Sequence, residues 1–334
     1  MPSITILGAG TWGTALAAML GANDSKIDNV TLWSAIESEI ETMKRSRQHP
    51  NFKDLVLPSK VGFETDIEKA CTGADIIIFA VPSPFIRETA RKVAPFIDEK
   101  CIIVDVAKGL EADTRKTLSE VISDEIGTKN GGIVALSGPT HAEEVVLGLP
   151  TTIVAASENI KAAEYIQQIF SNRFFRVYTN SDIKGIEICG ALKNIIALAA
   201  GISSGLGYGD NTKAAIITRG MAEITRLGVS LGCSERTFES LAGIGDLVVT
   251  CTSRHSRNNQ AGFLIGQGMS AKEAEKEVGM VVEGINALPA AMEFAEAQGV
   301  ELPICSIVNR IVNGELSATC ALTELMSRDL KSEI

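Results

Sequence analysis

Short apolar runs rich in β-branched residues alternate with amphipathic stretches through the first half of the chain. These runs predict six strands, which are Ile4–Leu7, Val30–Trp33, Ile76–Val81, Cys101–Val106, Ile133–Leu136 and Thr152–Ala155. Near-continuous apolar strands that are separated by helical segments are typical of a parallel sheet with helices on both faces. The pattern therefore predicts an α/β N-terminal domain with a mostly parallel sheet.

The pattern changes near Asn180. From Ser181 onward, long stretches rich in Ala, Leu, Ile and Glu show no strand-like alternation, and glycine-rich loops interrupt them. This composition is typical of helices, so we predict an all-α C-terminal domain. Residues 1–180 are assigned to the α/β domain and residues 181–334 to the helical domain, since a chain of 334 residues is long enough for two domains.

Charge and cysteine usage narrow the classes of function. The formal net charge of −10 argues against general affinity for nucleic acid or for anionic membranes. An anionic ligand would therefore need a local group of basic side chains and backbone N–H groups. Seven dispersed cysteines without a paired spacing indicate reduced thiols in a cytoplasmic protein. The histidines and cysteines also lack the spacing of metal ligands, so no metal is predicted.

Two apolar segments need to be distinguished from export and membrane signals. The N-terminal run has no cationic region before it, so we expect no signal peptide. The run from Ile186 to Leu206 contains Lys193, Asn194 and several glycines. This composition predicts a buried helix and no membrane insertion.

A glycine-rich turn directly follows the first predicted strand. Gly8, Gly10 and Gly13 fit the spacing G-x-G-x-x-G, and an Ala-rich helical stretch follows them. In this motif the first glycine makes a tight turn, the second lets a pyrophosphate approach the backbone, and the third lets helix and strand pack closely. The strand–turn–helix context predicts a Rossmann-type dinucleotide-binding domain, and the alternative is a purely structural turn.

The choice between NAD and NADP stays open at this point. In NAD enzymes an acidic side chain often follows the second strand and binds the ribose 2′-hydroxyl. Here the second strand is followed by Ser34 and Ala35, the first acid is Glu37 and the first base is Lys44. Neither the partner of a 2′-hydroxyl nor that of a 2′-phosphate is evident.

One cation interrupts the apolar helical segment 185–201. Lys193 is the only cation there. A small, polar stripe at helical spacing is formed by Glu187, Gly190, Ala191, Asn194 and Gly201. Burial lowers the pKa of a lysine, and a neutral amine can accept a proton from an alcohol. The alternatives are a lysine that reaches the surface and one that pairs with Glu187.

Two further segments offer basic groups for an anion. Segment 253–259 reads SRHSRNN, and an arginine guanidinium matches the hydrogen-bonding geometry of a phosphate. Lys108 follows the fourth predicted strand, at the edge where open α/β sheets bind ligands. The alternative for segment 253–259 is an ordinary solvated loop.

These motifs, in this order, resemble the bacterial NAD(P)-dependent glycerol-3-phosphate dehydrogenases. The resemblance covers nearly the whole chain and is carried by the segments GAGTWGTALA, FAVPS, AKGLE, SGPTHAEEV, ALKNIIALAAG, GYGDNTKAAIITRG, GIGDLVVTCTSRHSRNNQAG and VVEG. It implies an oxidoreductase that interconverts sn-glycerol 3-phosphate and dihydroxyacetone phosphate with NAD or NADP. It further implies a cytoplasmic homodimer that supplies glycerol 3-phosphate for phospholipid synthesis.

The resemblance also assigns residues, position by position. Lys193 is implied as the catalytic acid and base, with Asn194 and Thr250 as supporting residues. The implied substrate-binding residues are Lys108, Gly138, Thr140, Lys193, Asp246, Ser256, Arg257 and Asn258. The implied cofactor-binding residues are Gly8, Gly10, Thr11, Trp12, Gly13, Lys108, Ala142, Arg257, Val281 and Glu283. Whether Lys108 neutralises a developing alkoxide or contacts the phosphate stays open.

Two positions depart from the family pattern. Members that use NADPH commonly carry a basic residue just after the second strand, where Ser34 and Ala35 stand. His141 occupies a position that is usually phenylalanine, and we regard it as a substitution beside the site. Two other functions remain as alternatives, namely a β-hydroxyacid dehydrogenase and a non-catalytic NAD-binding module.

Overall fold

The computed structural model describes residues 1–23, 25–52, 54–111, 113–330 and 332. Its internal contacts divide the chain into two compact units. The first unit comprises Met1–Glu111 and Lys116–Glu187, and the second comprises Ala112–Arg115 and Ile188–Ile334. The boundary predicted after residue 180 stays a prediction.

An eight-stranded sheet forms the centre of the first unit. Its strands are β1 (Ser3–Leu7), β2 (Asn29–Trp33), β3 (Val61–Glu64), β4 (Ile76–Phe79), β5 (Ile102–Asp105), β8 (Gly132–Ser137), β9 (Thr151–Ala156) and β10 (Phe175–Asn180). A separate ladder joins β6 (Leu110–Glu111) to β7 (Lys116–Thr117). The order is β10-β9-β8-β5-β4-β1-β2-β3, and every neighbouring pair is parallel except β8 and β9. The predicted mostly parallel sheet is confirmed.

The two strands at the ends of this sheet were not predicted. β3 has four residues and includes Gly62, and glycine is unfavourable inside strands. β10 reads FRVYTN and contains exposed as well as buried positions, since an edge strand is only partly covered. The near-continuous apolar pattern that identified the six inner strands is therefore absent from both.

Two hydrophobic clusters cover the sheet. Ile76 and Ile78 of β4 belong to one cluster, and Ile77 and Phe79 of the same strand belong to the other. Because successive side chains of a strand point to opposite faces, each cluster packs on its own face of the sheet. Burial on both faces explains why the inner strands appear in the sequence as continuous apolar runs.

Helices connect the strands of the first unit. They are α1 (Thr11–Gly21), α2 (Glu37–Ser46), α3 (Ile67–Cys71), α4 (Ile86–Val93), α5 (Leu118–Ile126), α6 (Ala142–Val146) and α7 (Ile160–Phe170). The helix α5 begins with a capping box in which Thr117 and Glu120 bond each other's backbone N–H groups. Short 3₁₀ turns at Ser83–Phe85 and Ala94–Phe96 flank α4.

The described residues of the second unit form helices and no strands. They are α8 (Ile183–Gly205), which begins in the first unit, α9 (Asp210–Ser230), α10 (Glu235–Phe238), α11 (Asp246–Thr252), α12 (Arg257–Gly266), α13 (Ala271–Val278), α14 (Glu283–Gln298), α15 (Pro303–Val312) and α16 (Ala318–Met326). A π-helical turn at Leu241–Gly245 precedes α11. The predicted all-α character of the C-terminal domain is confirmed.

The helix α8 is long and apolar enough, by length and composition, to cross a membrane. Its most apolar window has a mean hydropathy of 1.5, and 100% of that window is buried inside the protein. Ile195, Ile196 and Leu198 have no exposed surface. The helix therefore packs as a core helix.

Glycines bring α8 and α12 into backbone contact. A Cβ atom at Gly201 would lie 2.2 Å from the carbonyl oxygen of Asn259, and one at Gly262 would lie 2.1 Å from that of Leu198. Both distances are far below van der Waals contact, so side chains larger than hydrogen would force the helices apart. The contact places α12 directly beside α8.

Candidate active site

The glycine-rich turn between β1 and α1 has the shape that a dinucleotide pyrophosphate requires. Gly8 has a φ of 124°, which side-chain-bearing residues rarely adopt, and its N–H donates to the carbonyl of Trp33 at 2.8 Å. A Cβ atom at Gly13 would lie 2.0 Å from the Gly8 oxygen, so glycine is needed there too. At exposed Gly10 a Cβ atom would meet nothing within 4 Å. That open space at the start of α1 fits a phosphate group.

The first turn of α1 presents two implied cofactor residues. Thr11 and Trp12 are partly exposed there, and Gly10 caps the helix without a side-chain hydrogen bond. The first N–H groups of a helix lack intrahelical partners and attract anions. Ala142, a third implied residue, is buried at the start of α6, which packs against α1. The structure thus brings these three residues to one side of the unit.

Three implied substrate residues of the first unit meet at one carbonyl group. Lys108 Nζ donates to the carbonyl oxygen of Gly138 at 3.0 Å, and Thr140 Oγ1 donates to the same oxygen at 3.1 Å. Lys108 follows β5, and Gly138 follows β8, the neighbouring strand. His141 comes next in the chain and is the N-cap residue of α6, where it is partly buried. The loop after β8 therefore holds the Lys108 ammonium at the carboxyl ends of the strands.

Two buried carboxyl groups lie in the same unit, and no sequence motif connects either of them with the reaction. Asp105 is 1% exposed; Oδ1 accepts the N–H of Ala107, and Oδ2 has no hydrogen-bond partner among the described residues. Glu187 accepts hydrogen bonds from the backbone and hydroxyl of Ser119. Burial, and after it the charge of Glu187, raises the pKa of Asp105 well above its ordinary value. Burial raises the pKa of Glu187 to about 7.

We expect Glu187 to make stability depend on pH. The carboxyl is more readily protonated in the folded chain than in the unfolded one, so its favourable contribution is complete below about pH 4.5 and is lost as the pH rises through about 7. Glu187→Gln removes this dependence and should exceed the wild type in unfolding free energy by up to about 3 kcal/mol at pH 8. Thermal and urea unfolding of both proteins between pH 4.5 and 8 measure the difference. Parallel stability curves across that range would contradict the expectation.

Lys193 lies in the middle of α8 and is 4% exposed, so the alternative in which it reaches the surface is wrong. Its Nζ lies 3.0 Å from Asp246 Oδ1 and donates to Thr250 Oγ1 at 2.6 Å. Glu187, the acid considered as its partner, is bonded to Ser119. The acid paired with Lys193 is therefore Asp246, which lies on a different helix.

The two partners of Lys193 lie one turn apart on α11. Asp246 begins the helix and is 1% exposed, and Thr250 Oγ1 donates to the Asp246 carbonyl at 2.6 Å. Residues four positions apart share one face of a helix, so both polar groups point to the ammonium. A buried charge is tolerated when it is paired and hydrogen-bonded. An amine held in this way can exchange a proton with a substrate hydroxyl or carbonyl oxygen.

A chain of amide hydrogen bonds extends from the residue next to Lys193. Asn258 Nδ2 donates to Asn194 Oδ1 at 3.0 Å, and Asn258 Oδ1 accepts the N–H of Gly284 at 2.8 Å. These two hydrogen bonds connect α8 with the starts of α12 and α14. Glu283 is the first residue of α14, and Val281 lies in the loop before it. The structure thus brings together, in one region of the second unit, four residues that the family resemblance assigns to the site, namely Asn194, Asn258, Val281 and Glu283.

The N-terminus of α12 forms a candidate phosphate site. Ser256 is 4% exposed and caps the helix, with Oγ accepting the N–H of Asn259 at 3.2 Å. Arg257, the first residue of this ten-residue helix, is exposed to solvent. A guanidinium beside the free N–H groups of a helix start matches the charge and hydrogen-bonding geometry of a phosphate. The start of α12 therefore offers a phosphate both the charged guanidinium of Arg257 and backbone N–H donors.

Profiles of both halves of one family match the chain. The N-terminal profile of NAD-dependent glycerol-3-phosphate dehydrogenase matches residues 3–163, and the C-terminal profile matches residues 182–323. Glycerol-3-phosphate dehydrogenase (NAD(P)+) 2 of Lactobacillus delbrueckii subsp. bulgaricus is 55% identical over 100% of this chain and 99% of its own length. The enzyme of that name, without the number, from Clostridium perfringens is 48% identical over 100% and 99% of the two chains.

Solved structures agree with these matches. The crystal structure of glycerol-3-phosphate dehydrogenase from Coxiella burnetii superposes with a TM-score of 0.93 at 36% identity, over 98% of this chain and 99% of that chain. The Saccharomyces cerevisiae glycerol-3-phosphate dehydrogenase has a TM-score of 0.82 at 26% identity, over 98% and 100% of the two chains. The similarity therefore extends over both units of the chain.

Proposed function

We propose, because this chain belongs to the NAD-dependent glycerol-3-phosphate dehydrogenase family, that it interconverts sn-glycerol 3-phosphate and dihydroxyacetone phosphate with NAD or NADP. The observation that carries the proposal is the buried Lys193–Asp246 pair in the same unit as the Arg257 phosphate site. The reaction takes place at C2, next to the carbon that carries the phosphate ester. It needs a group that exchanges a proton and a group that binds the phosphate anion.

The glycine-rich turn would hold the pyrophosphate of the cofactor. The residues we assign to the cofactor are Gly8, Gly10, Thr11, Trp12, Gly13, Lys108, Ala142, Arg257, Val281 and Glu283. The bound nicotinamide supplies the hydride exchange at C2 of the substrate. The fit of the turn rests on the open space at Gly10 and on the N–H groups at the start of α1.

Lys193 is the group that moves the proton. In the direction of alcohol oxidation its neutral amine takes the proton of the C2 hydroxyl, and in the direction of reduction its ammonium returns that proton to the carbonyl oxygen. Asp246 and Thr250 lie 3.0 and 2.6 Å from Nζ. These contacts limit the rotation of the amine and orient the lone pair or N–H that faces the substrate. Asp246 also stabilises the charged form of the amine.

The phosphate group of the substrate is anchored at the start of α12. Ser256, Arg257 and Asn258 supply donors there, and Asn194 orients the Asn258 amide. Lys108, Gly138 and Thr140 complete the substrate residues; Lys108 supplies the positive charge among them. Anchoring the phosphate fixes the position of C2, which lowers the entropy cost of the reaction.

The wider setting of the enzyme is proposed on family membership and on the residues together. We place it in the cytoplasm as a homodimer without membrane insertion, where it supplies glycerol 3-phosphate for phospholipid synthesis. Complete burial of the apolar window of α8 supports the absence of membrane insertion. We also keep residues 1–180 as the dinucleotide domain and residues 181–334 as the helical catalytic domain.

The experiment that tests the function follows the reduction of dihydroxyacetone phosphate by the loss of reduced-nicotinamide absorbance, with NADH and NADPH in parallel. We expect rapid turnover with at least one of them. A panel of β-hydroxyacids and their oxo forms serves as the control, and turnover confined to that panel would favour a β-hydroxyacid dehydrogenase. Tight cofactor binding by folded protein without turnover of any substrate would favour a non-catalytic NAD-binding module.

A further inference from the structure

An acidic side chain is held at the end of β2, beside the glycine-rich turn. Trp33, the last residue of β2, accepts the N–H of Gly8, so this strand end adjoins the turn. Ser34 follows, is 5% exposed, and donates its hydroxyl to Glu39 Oε2 at 2.8 Å. The same hydroxyl accepts the N–H of Ile36 at 3.1 Å, which fixes its orientation. Glu39 thus places a carboxylate next to Ser34, although no acid directly follows β2 in the sequence.

A neutral histidine lies near Glu39 and the glycine-rich turn. His49 is partly buried, and its Nδ1 accepts the N–H of Asn51 at 3.1 Å. Burial lowers the pKa of His49, although the charge of Glu39 and the nearby backbone of Ala9 in the glycine-rich turn act in the opposite direction. Near neutral pH the imidazole therefore adds a hydrogen-bonding group here and no positive charge.

Two of the basic residues that follow β2 are bonded to other groups, and a third lies at the far end of α2. Arg47 donates to the carbonyl oxygens of Leu57 at 3.0 Å and of Val61 at 2.8 Å, and also to that of Pro58. Lys44 pairs with Glu41 on the surface of α2 at 3.1 Å. Arg45 is exposed in the last turn of α2, six residues beyond Glu39, which is about 9 Å along the helix.

We propose that Glu39, oriented by Ser34, accepts a hydrogen bond from the 2′-hydroxyl of the adenosine ribose and repels a 2′-phosphate, so that this enzyme selects NAD over NADP. The inference rests on the proposed dinucleotide function and adds the identity of the dinucleotide. A carboxylate is an acceptor only, which suits a hydroxyl. A phosphate monoester carries about −1.5 to −2 charges at pH 7, and its dianion brings no donor to such an acceptor.

Isothermal titration of the purified protein with NAD+ and NADP+ tests this selectivity without turnover. ADP-ribose and 2′-phospho-ADP-ribose, which lack the nicotinamide, are titrated in parallel. We expect the wild type to bind each ligand without the 2′-phosphate about 10²-fold tighter than its phosphorylated counterpart. Glu39→Gln should reduce that ratio to within about 5-fold, because it weakens binding of the ligands without the 2′-phosphate and strengthens binding of those that carry it. The ratio of kcat/KM for NADH and NADPH should follow the binding ratio.

Three further variants distinguish the orientation of the Glu39 carboxylate by Ser34 from the general negative charge of α2. Ser34→Ala frees the Glu39 carboxylate and should lower the ratio, whereas Ser34→Thr keeps the hydroxyl and should restore it. Glu37→Gln removes a charge of the same sign from an exposed position two residues earlier and should leave most of the ratio intact. This matched control distinguishes a specific acceptor from a diffuse field.

Each result has a defined meaning. Equal or tighter binding of NADP+ by the wild type, or an unchanged ratio in Glu39→Gln, would overturn the selectivity proposal and leave the dehydrogenase function standing. A loss of NADP+ binding in Arg45→Ala, with NAD+ binding unchanged, would identify Arg45 as a phosphate partner and would also overturn it. Folded protein that binds neither dinucleotide would instead overturn the proposed function, and this inference with it.

Discussion

Lys193→Met is expected to lower kcat for the reduction of dihydroxyacetone phosphate by about 10³-fold, because the variant has no group that can deliver the proton to the carbonyl oxygen. Methionine has nearly the same length as lysine, so the buried space that the Lys193 side chain occupies stays filled. The measurement is the single-turnover rate at saturating cofactor and substrate, compared with the wild type over pH 6–10. The variant should also lose any pH dependence that comes from the Lys193 amine.

The control for this variant concerns the acid left behind. Asp246 is 1% exposed, and removal of its partner leaves a buried carboxylate uncompensated, which costs about 3–5 kcal/mol. The double variant Lys193→Met with Asp246→Asn removes both charges and should recover most of the lost stability without recovering turnover. Cofactor binding by calorimetry should stay near the wild-type value in both proteins. Near-normal turnover in either folded variant would rule out Lys193 as the acid and base.

Arg257→Ala is expected to raise the KM for dihydroxyacetone phosphate by about 10²-fold, with a smaller effect on kcat. The guanidinium at the start of α12 supplies charge-assisted hydrogen bonds to the phosphate, and each such bond contributes about 1.5–3 kcal/mol. The helix N–H groups and Ser256 remain in the variant, so some affinity persists. Initial rates over a wide range of substrate concentration measure the change.

A matched control and a truncated substrate sharpen this test. Arg254→Ala removes an exposed arginine three residues earlier and should leave KM within about 2-fold, since Arg254 is not assigned to the site. Dihydroxyacetone lacks the phosphate, so at saturating cofactor its slow reduction should be equal in the wild type and in Arg257→Ala. An unchanged KM in Arg257→Ala, or an equal loss with both substrates, would remove Arg257 from the phosphate site.

The sequence alone was sufficient for the fold class, the inner strands and the glycine-rich turn. Each of these depends on residues that are close together in the chain. Continuous apolar runs identify strands buried on both faces, and the spacing of Gly8, Gly10 and Gly13 reflects the backbone of a single strand–turn–helix unit. Lys193 was also recognisable, because a cation in an apolar helix needs a compensating partner.

The identity of that partner was decided by the tertiary structure. The nearby acid Glu187 bonds Ser119, while Lys193 bonds Thr250, 57 positions further along the chain, and pairs with Asp246. Likewise, Asn194 meets Asn258 across 64 positions. Helical spacing indicates which residues share a face, but the group opposite that face depends on how another helix packs against it.

The same reason explains the acid after β2. In the sequence Glu39 stands beyond Ser34 and Ala35 as one of several acids in a polar helix, with nothing to single it out. In the folded chain the Ser34 hydroxyl draws its carboxylate back to the strand end, where β2 adjoins the glycine-rich turn. Local sequence therefore determined which secondary structures form and where a charge needs a partner. The packing of distant segments determined which groups meet, because a hydrogen bond or an ion pair depends on distances of about 3 Å that chain spacing does not encode.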